Sequence, residues 1–236
     1  DEDGDTPEWL EIHNYGLQDD SINGWFLSAD LDTPDKRTFP NIKLSPDEYL
    51  LLWASSKDRS NISYSRTLIN QGDTFRYLIP TSEPSFNWKG LSFDDSSWSE
   101  GASGFGYADG DDATIIPYGS KSVYLRKKFT IDDLTAVSSL ILDIDYDDAF
   151  VAYINGVEVV RANIIGVPPA FDARTITDHE AKIYTGGTPD RFPITDFSSF
   201  LTEGDNILSI QAHNVSVGSS DFTLIPFLSA VFLSPN

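Results

Sequence analysis

Short apolar runs alternate with turn-forming residues along nearly the whole chain, and no stretch of useful length carries the 3.6-residue period of an amphipathic helix. In the first quarter, strands are expected at residues 9–13, 25–27 and 49–54. Turn-rich segments such as Asp30-Leu31-Asp32-Thr33-Pro34-Asp35 separate them. The polar run Ser55-Ser56-Lys57-Asp58-Arg59-Ser60-Asn61 reads as a linker, which sets a module boundary near residue 64 and divides the chain into 1–64 and 65–236. Beyond it the strands lengthen, with 123–131, 207–212 and 222–233 expected. Leu140, Leu142, Ile144 and Tyr146 alternate with Ile141, Asp143 and Asp145, so one face is apolar and the other mixed. Residues 150–154 and 157–160 flank Asn155-Gly156, a pair that tolerates the positive φ angles of a two-residue hairpin turn. Short helical turns are expected only after Asp94 or Asp196. Many short antiparallel strands joined by turns make an all-β chain of the sandwich type.

Composition sharpens this picture. Hydrophobic residues make up 40% and aromatics 13%, enough for a buried core. The net charge of −21 disfavours nucleic acid and anionic membranes as partners and leaves cations, neutral glycans and basic proteins. Of the 37 acidic residues 28 are Asp, which favours turns and caps over helix interiors and supplies hard oxygen donors for Ca²⁺. Cys and Met are absent, so disulfides, thiolate metal sites and cysteine catalysis are excluded. No apolar run reaches the ~18 residues of a membrane span, so membrane insertion is not expected. No secretory leader is visible, and the opening Asp1-Glu2-Asp3-Gly4-Asp5 reads as the start of an excised or mature segment of a larger multidomain chain.

The run Asp1-Glu2-Asp3-Gly4-Asp5-Thr6-Pro7-Glu8-Trp9-Leu10-Glu11-Ile12 is followed by Gly24-Trp25-Phe26-Leu27-Ser28, Phe39-Pro40 and Tyr49-Leu50-Leu51-Leu52-Trp53-Ala54-Ser55. Together these resemble the bacterial lamin-tail domain, without that family's opening strand and much of its closing half. The resemblance implies a small immunoglobulin-like module. From about residue 72 the chain resembles a galactose-binding-like jelly roll, similar to the sugar-binding domain of glycoside hydrolase family 2. Carrying that likeness are Phe93-Asp94-Asp95-Ser96-Ser97-Trp98, Gly104-Phe105-Gly106-Tyr107-Ala108-Asp109-Gly110-Asp111, Tyr124-Leu125-Arg126-Lys127-Lys128-Phe129, Asp147-Asp148-Ala149-Phe150, Tyr153-Ile154-Asn155-Gly156-Val157-Glu158-Val159, His213-Asn214 and Ser219-Ser220-Asp221. Ala149 departs from the family, which often has Gly there. The fold implied is a jelly-roll sandwich, and the location implied is extracellular or at a bacterial cell surface.

Candidate chemistry is sparse. Asp109, Asp111 and Asp112 cluster on a Gly-containing loop and are the leading ligands for a structural Ca²⁺. Asp145, Asp147 and Asp148 make a weaker set, the last two reading as a turn between strands. The run at 1–5 mimics the start of an EF-hand loop, but Thr6 and Ile12 stand where Gly and Glu are needed. Asp94 or Asp95 can line a sugar site with Trp98, or cap a turn over a core tryptophan. His13, His179 and His213 lie too far apart for a zinc-binding pattern. Phe105 breaks a nucleophile elbow at 101–105, and Asp109 breaks a dinucleotide fingerprint at 104–109. Sequons stand at Asn61 and Asn214. Sugar recognition pairs flat aromatic faces with planar polar groups. The candidates for it are Trp88, Tyr107, Tyr118 and Phe171, with Arg161, His213 and Asn214, and Tyr184 as a further aromatic.

The expected function is that of a non-catalytic carbohydrate-binding accessory module with a glycan as partner. A structural or adhesive spacer is the alternative, and a polysaccharide-acting hydrolase with a hidden carboxylate pair is a third.

Overall fold

A computed structural model describes residues 8–35, 37–39, 42–54 and 62–234. The acidic run at 1–5, the linker at 55–61 and the sequon residue Asn61 lie outside the described residues. The chain divides into two units, one made of Asp1–Thr67, Thr135–Ser138 and Ala230–Asn236, the other of Leu68–Leu134 and Ser139–Ser229.

In the first unit, β1 (Glu8–His13) runs antiparallel to β6 (Tyr49–Ala54), and β6 meets β7 (Ile62–Ile69) at Leu51 and Ser65. Two short pairs, β2 (Asp20–Ser21) with β5 (Lys43–Leu44) and β3 (Phe26–Leu27) with β4 (Arg37–Thr38), complete it. Its core is a small cluster of Ile22, Phe39, Ile42, Leu44 and Leu50, flanked by Ile12 and Leu52.

Two sheets build the second unit. One is six-stranded, in the order β15 (Val157–Ala162), β14 (Ala149–Ile154), β17 (Gly204–His213), β12 (Ser122–Ile131), β8 (Thr74–Leu78), β9 (Ser99–Ala102). The other sets β18 (Phe222–Ser234) between β10 (Phe105–Tyr107) and β13 (Val137–Tyr146), with β11 (Thr114–Ile115) and β16 (Asp190–Ile194) at its flanks. The pairs β10–β18, β12–β17 and β13–β16 are antiparallel, and β10–β11 is parallel. Asn155 and Gly156 adopt φ angles of 51° and 92° and close the β14–β15 hairpin as their sequence requires.

Central strands of the six-stranded sheet are buried on both faces. On β17, Leu208, Ile210 and Ala212 share one face, while Ser209, Gln211 and His213 share the other. That polar-bearing face is covered by loops. Gln211 Nε2 donates to the carbonyls of Pro169 (3.2 Å) and Ala170 (3.3 Å), and Ser122 Oγ donates to that of Phe171 (2.6 Å). Arg126, 1% exposed, donates from Nε to Asp95 Oδ2 (2.7 Å) and from Nη1 to the carbonyls of Trp88 and Gly90. An aromatic cluster of Trp88, Trp98, Tyr124 and Tyr153 fills the space between these anchors.

No α-helix occurs among the described residues. The turns expected to be helical after Asp94 and Asp196 are not. Asp94 Oδ1 instead accepts from the Ser96 N–H (3.0 Å), a side-chain turn that competes with helix, and residues 198–200 form a simple turn.

Candidate cation site and adjoining pocket

Acidic side chains from four segments of the second unit converge. The β10–β11 loop brings Asp109, Asp111 and Asp112, the end of β13 and the turn after it bring Asp145, Asp147 and Asp148, the segment before the 3-10 turn at Ile183–Thr185 brings Glu180, and the β17–β18 loop brings Asp221. Asp145 and Asp148 act as struts. Asp145 accepts from the Lys182 and Ile183 N–H groups (2.8 and 2.9 Å), and Asp148 from those of His179 (2.8 Å) and Val215 (2.6 Å). These bonds draw two long loops over the strand ends. Asp109 Oδ2 accepts from Thr223 Oγ1 (2.6 Å).

Two further groups of carboxylates complete the cluster. Asp147, 3% exposed, can offer an oxygen with Glu180 and Asp221, all three atoms lying within 4.8 Å of one another. Both oxygens of Asp111 and both of Asp112 are buried with no hydrogen-bond partner. Asp112 lies against Gly106, whose missing side chain makes room: a Cβ there would fall 1.9 Å from the Phe222 carbonyl and 2.5 Å from Asp112 Oδ1. Burial, then the charges of Asp111 and Asp109, push the Asp112 carboxyl up to about 7. Burial followed by the neighbouring Asp148 charge raises Asp147 as well. Asp109, Asp111 and Glu180 are raised by desolvation, with Asp221 reinforcing Asp109 and Glu180. Asp147 is buried, where an ionised carboxylate costs free energy that a cation would recover, so the triad Asp147, Glu180 and Asp221 could hold a metal ion. The triad is not the Asp109, Asp111, Asp112 set singled out from the sequence. Asp147 is the member that the sequence offered, as a turn residue. Glu180 and Asp221 are isolated acids that no spacing marks.

Val215, whose N–H donates to Asp148, also lines an open cavity of about 450 Å³ together with Lys121, Asp172, Arg174, Ser216 and Val217. Lys121 Nζ donates to the carbonyls of Asn214 and Val215 (3.0 Å to the latter), which fixes its ammonium in the wall. Tyr118 is 70% exposed and follows an edge-to-face contact with Tyr107 at 5.5 Å. Its neighbour Gly119 approaches the Val217 carbonyl of the pocket wall, where a Cβ would stand 3.3 Å away, while Tyr118 itself is not a lining residue.

The aromatic and polar candidates fall in three places. Trp88 is 5% exposed and packed among Trp98, Tyr124 and Tyr153, and half-buried Phe171 leans on the same cluster. Arg161 is tied to Glu158 (2.5 and 2.6 Å) and to the Gly166 carbonyl (2.8 Å). Tyr107 is buried, its hydroxyl accepting from Asn214 Nδ2 (3.1 Å), and Asn214 also donates to the Asp221 carbonyl (2.8 Å). His213 is fully buried; burial, then the Lys121 charge, pushes it down to about 3 against the opposing pull of the Ala173 backbone, so the ring is neutral. Phe171, His213 and Asn214 thus sit one or two residues from the pocket lining without forming it.

No protein-family model matches the chain, and no curated protein matches it in sequence. Among solved structures, a Bacteroides uniformis β-glucuronidase aligns at 15% identity and a TM-score of 0.42, over 71% of this chain and 18% of that one. A β-glucuronidase from glycoside hydrolase family 2 aligns at 12% and 0.41, over 74% and 18%. An uncultured Clostridium sp. β-glucuronidase aligns at 13% and 0.45, over 77% and 31%. The chain therefore spans less than a third of the length of these enzymes, and at identities and TM-scores this low the likeness carries no functional information.

Proposed function

We propose that the second unit is a non-catalytic glycan-binding module whose binding end is pinned by a structural calcium ion. The observation that carries the glycan reading is an open pocket with charged and hydroxyl groups in its wall, with the exposed aromatic Tyr118 one residue from Gly119, which meets that wall at Val217. Sugars are held by that combination of a flat apolar face and directional polar groups. Calcium is the occupant we assign to the acidic well, because every donor there is a hard oxygen and the donors come from three separate connections between strands. For Asp111 and Asp112 a hydrolytic role is disfavoured by access. A general acid or nucleophile must touch the substrate, whereas the oxygens of Asp111 and Asp112 are sealed from solvent. In this reading the first unit, through its lamin-tail resemblance, is a tether within a larger extracellular or surface protein.

The test is binding of the whole chain to a glycan array, followed by titration calorimetry of the hits against Tyr118→Ala. Loss of affinity by tenfold or more in a variant with unchanged melting supports the reading. A silent array would leave the spacer alternative in its place.

A further inference from the structure

Arginines in this protein are spoken for. Arg66 pairs with Glu48, Arg76 with Glu100, Arg126 with Asp95, Arg161 with Glu158 and Arg191 with Asp143. In a chain with 37 acids and 16 bases, each of these guanidinium groups has found a carboxylate. Arg174 is the exception among the residues whose side chains are described: it has no hydrogen bond and no ion pair. It lines the pocket together with Lys121, whose ammonium is held in the wall by two carbonyls. Asp172, two residues away and also in the lining, is not paired with Arg174 either. An unpaired arginine on a surface crowded with acids, facing a cavity, is a fork without its anion.

We infer that this pocket takes the acidic group of a saccharide, either the carboxylate of a uronic acid or a sulfate ester, with Arg174 as its bidentate partner. The inference rests on the glycan-binding reading above and names the class of glycan. Lys121 supplies a second, fixed positive charge, and Asp148 behind it keeps the ammonium in place through the Val215 N–H. Asp172 and the Ser216 hydroxyl are suited to neighbouring sugar hydroxyls, and Tyr118 to the apolar face of a ring. The negative field of the rest of the chain does not forbid this. Charges farther than about 8 Å are largely screened at physiological salt, so the lining itself, two cations against the single carboxylate Asp172, weighs most inside the pocket. Long, densely charged polyanions would still meet the acidic surface around it.

Titration calorimetry on the whole chain, with calcium present, tests the assignment with three oligosaccharides of equal length. One is a neutral galacto-oligosaccharide, one an oligogalacturonate and one a sulfated galactan fragment. One acidic probe should bind at least tenfold more tightly than the neutral one, and its identity separates the uronate from the sulfate source. Arg174→Ala should lower that affinity to the neutral level, since hydrogen bonds to charged groups are the strong ones. Arg174→Lys, which keeps the charge but loses the fork, should fall between. Because Arg174 has no intramolecular partner, its melting temperature should not move, whereas Arg76→Ala should leave binding unchanged. Equal affinity for neutral and acidic probes, insensitive to Arg174→Ala, would overturn the acidic assignment and leave glycan binding intact. Absence of binding to all three would overturn both, as would an equal loss in Arg76→Ala overturn the role of Arg174.

Discussion

Trp88 and Arg126 illustrate how single side chains are spent here. Trp88 makes edge-to-face contacts with Tyr124 (4.7 Å) and Tyr153 (5.7 Å), and its carbonyl accepts from Arg126. Trp88→Ala should cost about 3–5 kcal/mol in chemical denaturation, the range for emptying an aromatic core position. Arg126→Ala should cost a similar amount, about 3–5 kcal/mol, because it strands Asp95 and several loop carbonyls. His213 makes a prediction of a different kind. Its folded value near 3 lies below the ordinary 6.5, so the unfolded chain binds a proton that the folded chain refuses. Stability from this group is fully present above pH 6.5 and is lost as pH falls towards 3. His213→Leu should flatten the dependence of denaturation free energy on pH between 6.5 and 4, and an unchanged slope would assign the acid sensitivity elsewhere.

Elements with long alternation are legible in the sequence. Leu140 to Tyr146 and the Asn155-Gly156 hairpin announce β13 to β15, because four or more alternating positions define a face and a turn pair defines a register. Strands of two or three residues, such as β2, β10 and β11, carry too few positions to show a period, and β8, β9 and β16 are interrupted by charged or proline residues. The pocket was illegible for a related reason. Lys121, Arg174 and Ser216 come from separate loops and match no motif, while the aromatic residues that looked like binding candidates, Trp88 and Tyr107, were needed for packing. The β10–β11 pair offers a test at this scale. Gly106→Ala puts a carbon onto the Phe222 carbonyl and the Asp112 carboxylate, so β10 must part from β18. The variant should lose thermal stability, and with it the response to calcium described next, whereas Gly110→Ala, with open space around its Cβ and only a φ of 86° to accommodate, should lose far less.

For the molecule as a whole, the acidic well makes stability depend on ions and pH together. Without a cation, the Asp112 carboxyl has a folded value of about 7 against an ordinary 3.8, so the folded state holds a proton that the unfolded state releases. That contribution is fully present below about pH 4 and is lost as pH rises through 7. Chelated protein should therefore melt at lower temperature at pH 8 than at pH 5.5, and calcium should raise melting at both. At a hundredfold excess over Kd the ion adds about 2.7 kcal/mol. Sodium at equal ionic strength should not reproduce the rise, and Asp147→Asn should abolish it; identical melting in the two salts would leave the well an ordinary acidic turn. There is also a kinetic side to this arrangement. In a chain without cysteine, an ion shared by Asp147, Glu180 and Asp221 would do the work of a cross-link between segments distant in sequence. Its removal frees those loops long before the sheets melt, because local opening takes far less free energy than global unfolding. Amide exchange and limited proteolysis at 176–189 and 214–221 should thus accelerate on chelation at temperatures where the strands remain fully protected. The ligand-binding end would then be the part of the protein whose lifetime its surroundings control through dissolved calcium.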